Sequence, residues 1–248
     1  MDKIKYLIII ILLFITASCT LRQTIKDPSA IRGDKSLEDG LIAYYSFEGN
    51  ANDMSGNNND GTVMGAVLTY GRSDRPNSAY SFDGTDDYIY VNDIEKLRIT
   101  GQISLSVWFK TDFSLPFAGI ICKADPIEPR RGYLIDIDSN DKIRTDVCFD
   151  HSNGECGTIW SHDILTDDKW HHVLVTYNGR ELLLFIDGKL ENNIVYEKGL
   201  QTNREPLLIG WDMNTWLSHR HFKGSIDEVR IYNRVLSKRE IRRLYHEN

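Results

Sequence analysis

The stretch that most constrains this chain is Trp170 to Leu190, WHHVLVTYNGRELLLFIDGKL. Asn178-Gly179 and Asp187-Gly188 each separate β-prone runs, and such pairs favour two-residue type I′ turns because both central positions need positive φ. The segment predicts a three-stranded antiparallel meander. Ile103 to Phe109, ISLSVWF, alternates apolar with small polar residues, as a strand with one buried face should. Leu41 to Phe47, Pro206 to Ile209 and Ser225 to Tyr232 read as further strands. Ser78 to Phe82 and Tyr88 to Val91 flank Asp83-Gly84 and predict a hairpin, and Gly132 to Ile137 and Lys142 to Val147 flank a second turn at Asp138 to Asp141. A helical signal comes only at the end, where Ser237 and Glu240 form a capping box that starts a short helix over Lys238 to His246. The pattern predicts an all-β fold: a two-sheet antiparallel β-sandwich of jelly-roll type with a short C-terminal helix.

The chain has 248 residues, a length that one β-sandwich core can accommodate, and its formal charge is −7. An acidic surface repels phosphate backbones, and no Lys/Arg stripe stands out to overcome it, so nucleic acid is excluded as a partner. At the N-terminus a basic region (Lys3, Lys5) precedes an apolar run from Tyr6 to Ile15 and then Thr16, Ala17, Ser18 and Cys19. Residues 1–18 are expected to be a secretory signal peptide. Small residues ending at a cysteine resemble a bacterial lipoprotein lipobox, which implies lipidation of Cys19, a tether over 19–39 and a domain over 40–248; the competing readings are an ordinary signal peptide cut nearby and an uncleaved anchor. The expected address is the cell envelope, at the outer membrane or in the periplasm, with the membrane as a partner through the lipid anchor. In such an oxidising compartment Cys148 and Cys156, which bracket a turn-rich segment, can face each other across a hairpin and form a disulfide; the sequence alone does not say whether it is closed. Cys122, in apolar GIICK, is expected to be a buried free thiol.

Five blocks occur in order from residue 40 onward: LIAYYSFEGNANDMSGNNNDGTV, SAYSFDGTDDYIYV, ISLSVWFKT, KWHHVLVTYNGRELLLFIDGKL and FKGSIDEVRIYNRVLSKREI. Together they resemble the laminin-G-like, concanavalin A-like jelly-roll modules of secreted bacterial proteins. The resemblance implies that the first and last strands are neighbours and that calcium is bound near them. It does not settle function, because the same sandwich carries lectins, glycosidases and structural domains.

If Leu41 to Phe47 pairs with Glu228 to Tyr232, then Glu48, Asn50, Asp53, Asn57 and Asp227 converge. Such an oxygen-rich set suits a hard cation, so Asp53, Asn57 and Asp227 are the expected ligands of a structural calcium ion. The competing reading is that these residues form turns. The segment from Asp136 to Asp141 begins like a calcium-binding loop but lacks its glycine and its final glutamate, and reads as a hairpin turn. A glucanase Glu-x-Asp-x-x-Glu signature is absent, which argues against an enzyme. His171 and His172 read as structural, and His219 with His221 lacks a third zinc ligand. Recognition is expected in the loop Gly210 to His221, GWDMNTWLSHRH. There Trp211 and Trp216 would stack on sugar rings while Asp212, Asn214 and Arg220 bond hydroxyls, with Trp160 and Tyr133 as secondary candidates. The expected function is a non-catalytic module that binds carbohydrate or another cell-surface ligand. The alternatives are a glycoside hydrolase or lyase on the same sandwich, and a structural or adhesion domain with a protein partner.

Overall fold

In a computed structural model the β-prone runs become, in chain order, β1 (Leu41–Tyr45), β2 (Thr62–Met64), β3 (Val67–Thr69), β4 (Ala79–Asp83), β5 (Tyr88–Val91), β6 (Ile103–Lys110), β7 (Ala118–Ala124), β8 (Gly132–Ile137), β9 (Lys142–Cys148), β10 (Cys156–Ile164), β11 (His171–Tyr177), β12 (Glu181–Ile186), β13 (Lys189–Val195), β14 (Leu207–Ile209) and β15 (Lys223–Tyr232). One helix, α1 (Lys238–His246), follows. The structure describes residues 36–113, 115–127, 131–148, 155–214 and 220–247. Cys19, Trp216 and His219 lie outside the described residues. Gly40–Asn248 forms one compact unit.

Two antiparallel sheets face each other. One runs β13-β12-β11-β6-β15-β4-β3 with β1 also on β15, and the other β10-β9-β8-β7-β14-β5-β2. Alternation along each strand sends one set of side chains between the sheets. Leu105 and Val107 of β6, Val173 and Val175 of β11, and Ile226 and Ile231 of β15 meet Ile135 and Ile137 of β8, Val147 of β9 and Ile209 of β14 in a single core. Each such fully buried aliphatic side chain contributes roughly 1.5–3 kcal/mol. The meander forms as read, with β11, β12 and β13 paired in succession. So does the β8–β9 hairpin. Cys148 and Cys156 face each other across β9 and β10 and are joined by a disulfide.

The expected hairpin around Asp83-Gly84 does not form. β4 pairs with β15 and β3 in the first sheet, whereas β5 pairs with β14 and β2 in the second, so the intervening turn crosses the sandwich. Its turn chemistry is present: Thr85 N–H donates to Asp83 Oδ1 and Asp83 N–H to Asp87 Oδ2. Phe82 and Ile89 both reach the core, and crossing over lets them fill it from opposite sheets.

Strand β15 serves two neighbours along one edge. Lys223 to Ile226 pairs with β4, and Val229 to Tyr232 pairs with β1. The change of partner falls at a bulge, where the register with β6 slips between Asp227 and Arg230 and Glu228 has φ +54°. The other edge of β1 is covered by the Asn/Asp-rich loop. Tyr44 N–H donates to Asp53 Oδ1 at 2.9 Å, Met54 N–H to Tyr44 O at 2.8 Å, and Asn59 Nδ2 to Ile42 O at 2.7 Å. Asn57 Nδ2 donates to both Leu41 O and Ile42 O at 3.0 Å. These side chains stand where a further strand would, and so protect an edge that would otherwise be open to pairing.

Helix α1 opens on the predicted capping box, Ser237 accepting from Glu240 N–H while Glu240 accepts from Ser237 N–H. It lies on the outer face of the first sheet, where the Tyr245 ring stacks on Trp108 at 5.6 Å and Trp108 on His172 at 5.1 Å. His172 is structural here: burial holds its pKa down at about 3, and its Nε2 meets Ser106 Oγ at 2.8 Å. At the bulge, burial and then the charge of Glu228 push Asp227 up to about 7, with Arg72 N–H as its backbone donor at 3.2 Å.

An acid whose folded pKa lies above its unfolded value contributes stability that is complete below about 3.9 and is lost as pH rises to about 7. Asp227→Asn should therefore raise the Tm at pH 5 by only about a third of its effect at pH 8. At pH 8 it should raise stability by about 1–2 kcal/mol, roughly 2–8 °C in a domain of this size. Thermal melts at the two pH values decide it, and an equal effect at both would refute the assignment.

Candidate functional site

The apolar strands β8 and β9 carry charged residues only on the face turned away from the core. Tyr133, Ile135 and Ile137 point inward, as do Ile143 and Val147. Their alternates Asp136, Arg144 and Asp146 therefore share the outer face of the seven-stranded sheet. Register extends this into a row: Trp160 of β10 opposes Arg144, Arg144 opposes Asp136, and Asp136 opposes Gly119 of β7. A Cβ on Gly119 would come within 2.4 Å of Asp212 N, so glycine here lets the loop 210–221 lie directly on the sheet. The two arms of that loop are held together by a bridge between Trp211 and His221. Both Gly119 N–H and Asp212 N–H donate to Arg220 O, at 3.0 and 3.2 Å.

The result is a charged cluster. Arg144 grips Asp136 with two bonds, Nε to Oδ1 at 2.9 Å and Nη2 to Oδ2, and its Nη1 lies 3.6 Å from Asp146 Oδ2. Arg220 Nη1 donates to Asp212 Oδ2 at 2.5 Å, and Cys122 Sγ, a buried free thiol, donates to Asp212 Oδ1 at 3.4 Å. Phe117 sits against both guanidinium groups, 4.8 Å from Arg144 and 4.9 Å from Arg220, in a left-handed conformation at φ +63° that is unusual for so bulky a residue. Complete burial pushes Asp136 up to about 7, and the fork of Arg144 opposes that rise. Among the described residues Asp146 Oδ1 and Arg220 Nε are buried and meet no hydrogen-bonding group. Beside this cluster Trp160 is 43% exposed.

These positions differ from those expected of the loop residues. Trp211 is half-buried and stacked, 5.1 Å from His221 and 5.0 Å from Tyr88, and not spread toward solvent. Asp212 and Arg220 are buried against each other, and Asn214 is buried with its N–H on Asp212 Oδ1. Their polar groups thus build the loop's seat on the sheet. Tyr133 belongs to the core, its hydroxyl donating to Leu97 O, and is no ligand candidate. Phe117, Arg144 and Asp146 are the members that sequence reasoning missed. A charged residue at every second position of β9, with Asp136 alone on β8, was the available signal.

The residues expected to hold calcium do not fit it. Asp53 accepts from Tyr44 N–H, Ser55 N–H, Ser55 Oγ and Asn59 N–H, which occupies its oxygens with donors. Asn57 turns its carbonyl to the Lys96 ammonium at 2.5 Å. Asp227 lies on the far side of β1 from that loop, beside Trp108 of β6. The polar side chains close an edge, and the three residues do not converge on a cation. Asp83, Asp86 and Asp87 do cluster, but as the crossing turn already described.

A family model described as the concanavalin A-like lectin/glucanases superfamily matches residues 83–242. No curated protein sequence matches this chain. Among solved structures, the binding domain of Paraclostridial Mosquitocidal Protein 1 superposes with a TM-score of 0.68 at 18% identity, over 85% of this chain and 52% of that one. Domain 4 of a GH43 extracellular arabinanase from Geobacillus stearothermophilus, in complex with arabinotriose, gives 0.64 at 20% identity, over 83% and 98%. The receptor binding domain of botulinum neurotoxin C/D mosaic serotype gives 0.65 at 19%, over 84% and 51%. The chain spans about half of each toxin domain and nearly all of the arabinanase domain, and at these identities the likeness is one of fold.

Removing Arg144 would strand Asp136 in the cluster without its partner. Arg144→Leu should cost about 3–5 kcal/mol at pH 8 and distinctly less at pH 5, where Asp136 takes up a proton. Denaturant unfolding at both pH values tests this, and the double variant with Asp136→Asn should recover most of the loss. A loss independent of pH would show that the ion pair does not carry it.

Proposed function

This chain belongs to the concanavalin A-like lectin/glucanases superfamily, and from that premise we propose that it is a non-catalytic binding domain for carbohydrate on an envelope surface. The observation that carries the reading is the row on the outer face of the seven-stranded sheet. Trp160 offers an exposed ring beside Arg144, and the cluster behind it holds a buried acceptor on Asp146 and a buried donor on Arg220 that meet no hydrogen-bonding group among the described residues. An aromatic face flanked by fixed polar groups is how proteins hold sugar rings. Support also comes from structural neighbours, two of them binding domains of toxins and one an arabinanase domain in complex with arabinotriose. The three acids of the cluster are engaged by arginines, which suits binding better than acid–base chemistry. A hydrolase on the same face is the second reading, favoured by the one feature that Asp136 is held near neutrality.

On a glycan array that includes arabino-oligosaccharides, the full chain should give hits, and Trp160→Ala should weaken them by roughly tenfold while leaving the melt unchanged. An array without hits, or hits indifferent to Trp160, would sink the binding reading. New reducing ends in the same incubations, lost in Asp136→Asn, would establish the hydrolase. Lipidation of Cys19 is the envelope part of the proposal, motivated by the signal-like N-terminus. The mass of the mature N-terminal peptide checks it, since an unmodified Cys19 there excludes the anchor.

A further inference from the structure

Helix α1 has two faces of opposite character. Glu240, Ile241 and Leu244 are buried against the sandwich. Arg239, Arg242, Arg243 and His246, at helical spacing on the other side, are exposed and line an open recess of about 580 Å³ together with Glu247, whose carboxylate is paired with Arg230 at 3.0 Å. Nine residues of helix thus hold four Lys/Arg and one His against a single carboxylate, in a chain of formal charge −7. Among the described residues Arg242 and Arg243 form no ion pair with a carboxylate, and the one acid of α1, Glu240, is bonded by Arg234 from outside the helix at 2.6 Å. In the sequence these residues lie in the short basic run Lys238 to Arg243, and the 3.6-residue period gathers Arg239, Arg242, Arg243 and His246 on one face.

The place of the stripe says what it faces. The chain enters the sandwich at Gly40, whose carbonyl accepts Asn233 N–H at 2.9 Å and whose Cα abuts the Arg234 side chain; Arg234 in turn holds the first turn of α1. The thirty-nine residues before Gly40, which carry the apolar run and Cys19, therefore join the domain beside this helix. We infer that the exposed basic face of α1 docks on anionic lipid headgroups, laying this end of the sandwich against the membrane. A single acyl chain holds a protein only marginally, and a polybasic patch adds attraction to anionic headgroups. The inference rests on the envelope location proposed above, but not on the sugar-binding face.

The test is vesicle flotation of the full chain with phosphatidylcholine alone and with roughly 30 mol % phosphatidylglycerol, where each arginine near the surface is worth about fivefold in affinity. Wild type should prefer the anionic vesicles by tenfold or more, and the preference should collapse as salt is raised to about 0.5 M. Arg239→Gln/Arg242→Gln/Arg243→Gln should lose most of the wild-type preference; the N-terminal segment, with its own Lys and Arg residues, is common to both proteins and cancels in that difference. If the triple variant does not fold, Arg242→Gln/Arg243→Gln and the wild-type salt titration carry the same comparison. Equal binding of wild type to the two vesicles overturns the inference, as does a preference that survives the substitutions. Capture by heparin without any vesicle preference would also overturn it, assigning the face to a sulfated polymer. A failed glycan array would leave the vesicle result standing.

Discussion

The bulge at Asp227 and Glu228 is the constraint on which the rest of the sandwich depends. One edge of β15 has to accept β4 along its first half and β1 along its second, and two strands cannot occupy one straight edge without an extra residue to separate them. Once β1 is paired there, the entry and exit of the domain are fixed side by side, Gly40 against Asn233. The chain leaving β15 must then turn back, and the stacked rings of Trp108 and His172 offer the surface on which Tyr245 lands. The bulge carries two buried acids, and Arg230 answers one of them, bonding Glu228 at 2.7 Å. Asp227 is left to resist ionisation.

On the opposite sheet the same alternation that fills the core determines what can happen outside it. Because Ile135, Ile137 and Val147 must face inward, Asp136 and Asp146 have no choice but the outer face. Two arginines make that tolerable, one from β9 and one from the loop, and Phe117 separates them while shielding both. An ion pair buried this way adds little net stability, but it fixes the directions of its members closely. Holding Phe117 at positive φ has its own cost, of the kind concentrated where a surface is shaped for binding.

Much of the architecture was legible in the residues. The Asn-Gly and Asp-Gly turns gave the meander, the capping box gave α1 to the residue, and the pairing of the first and last strands followed from the resemblance. Legibility stopped where non-local geometry took over. Asp83-Gly84 is good turn chemistry whether the next strand returns to the same sheet or crosses to the other, so local sequence cannot choose. The Asn/Asp loop was read as cation ligands because its oxygens and amides suit that use. Its position along an open strand edge turned the same groups toward backbone instead. Likewise the polar residues of the 210–221 loop looked like a recognition set, yet Asp212 and Arg220 are consumed in seating the loop on Gly119. The face that emerges as the better site is spread over β8, β9 and β10, where no contiguous motif marks it.

The disulfide between β9 and β10 has a consequence beyond tying two strands together. Side chains on a strand alternate between faces, so a slip of one residue would put the two sulfurs on opposite sides of the sheet, and a slip of two would draw them apart along it. Only one alignment of the hairpin allows oxidation. The same alignment places Trp160 across from Arg144, so the redox state of a single cysteine pair certifies that the outer face of β9 and β10 has been assembled in frame.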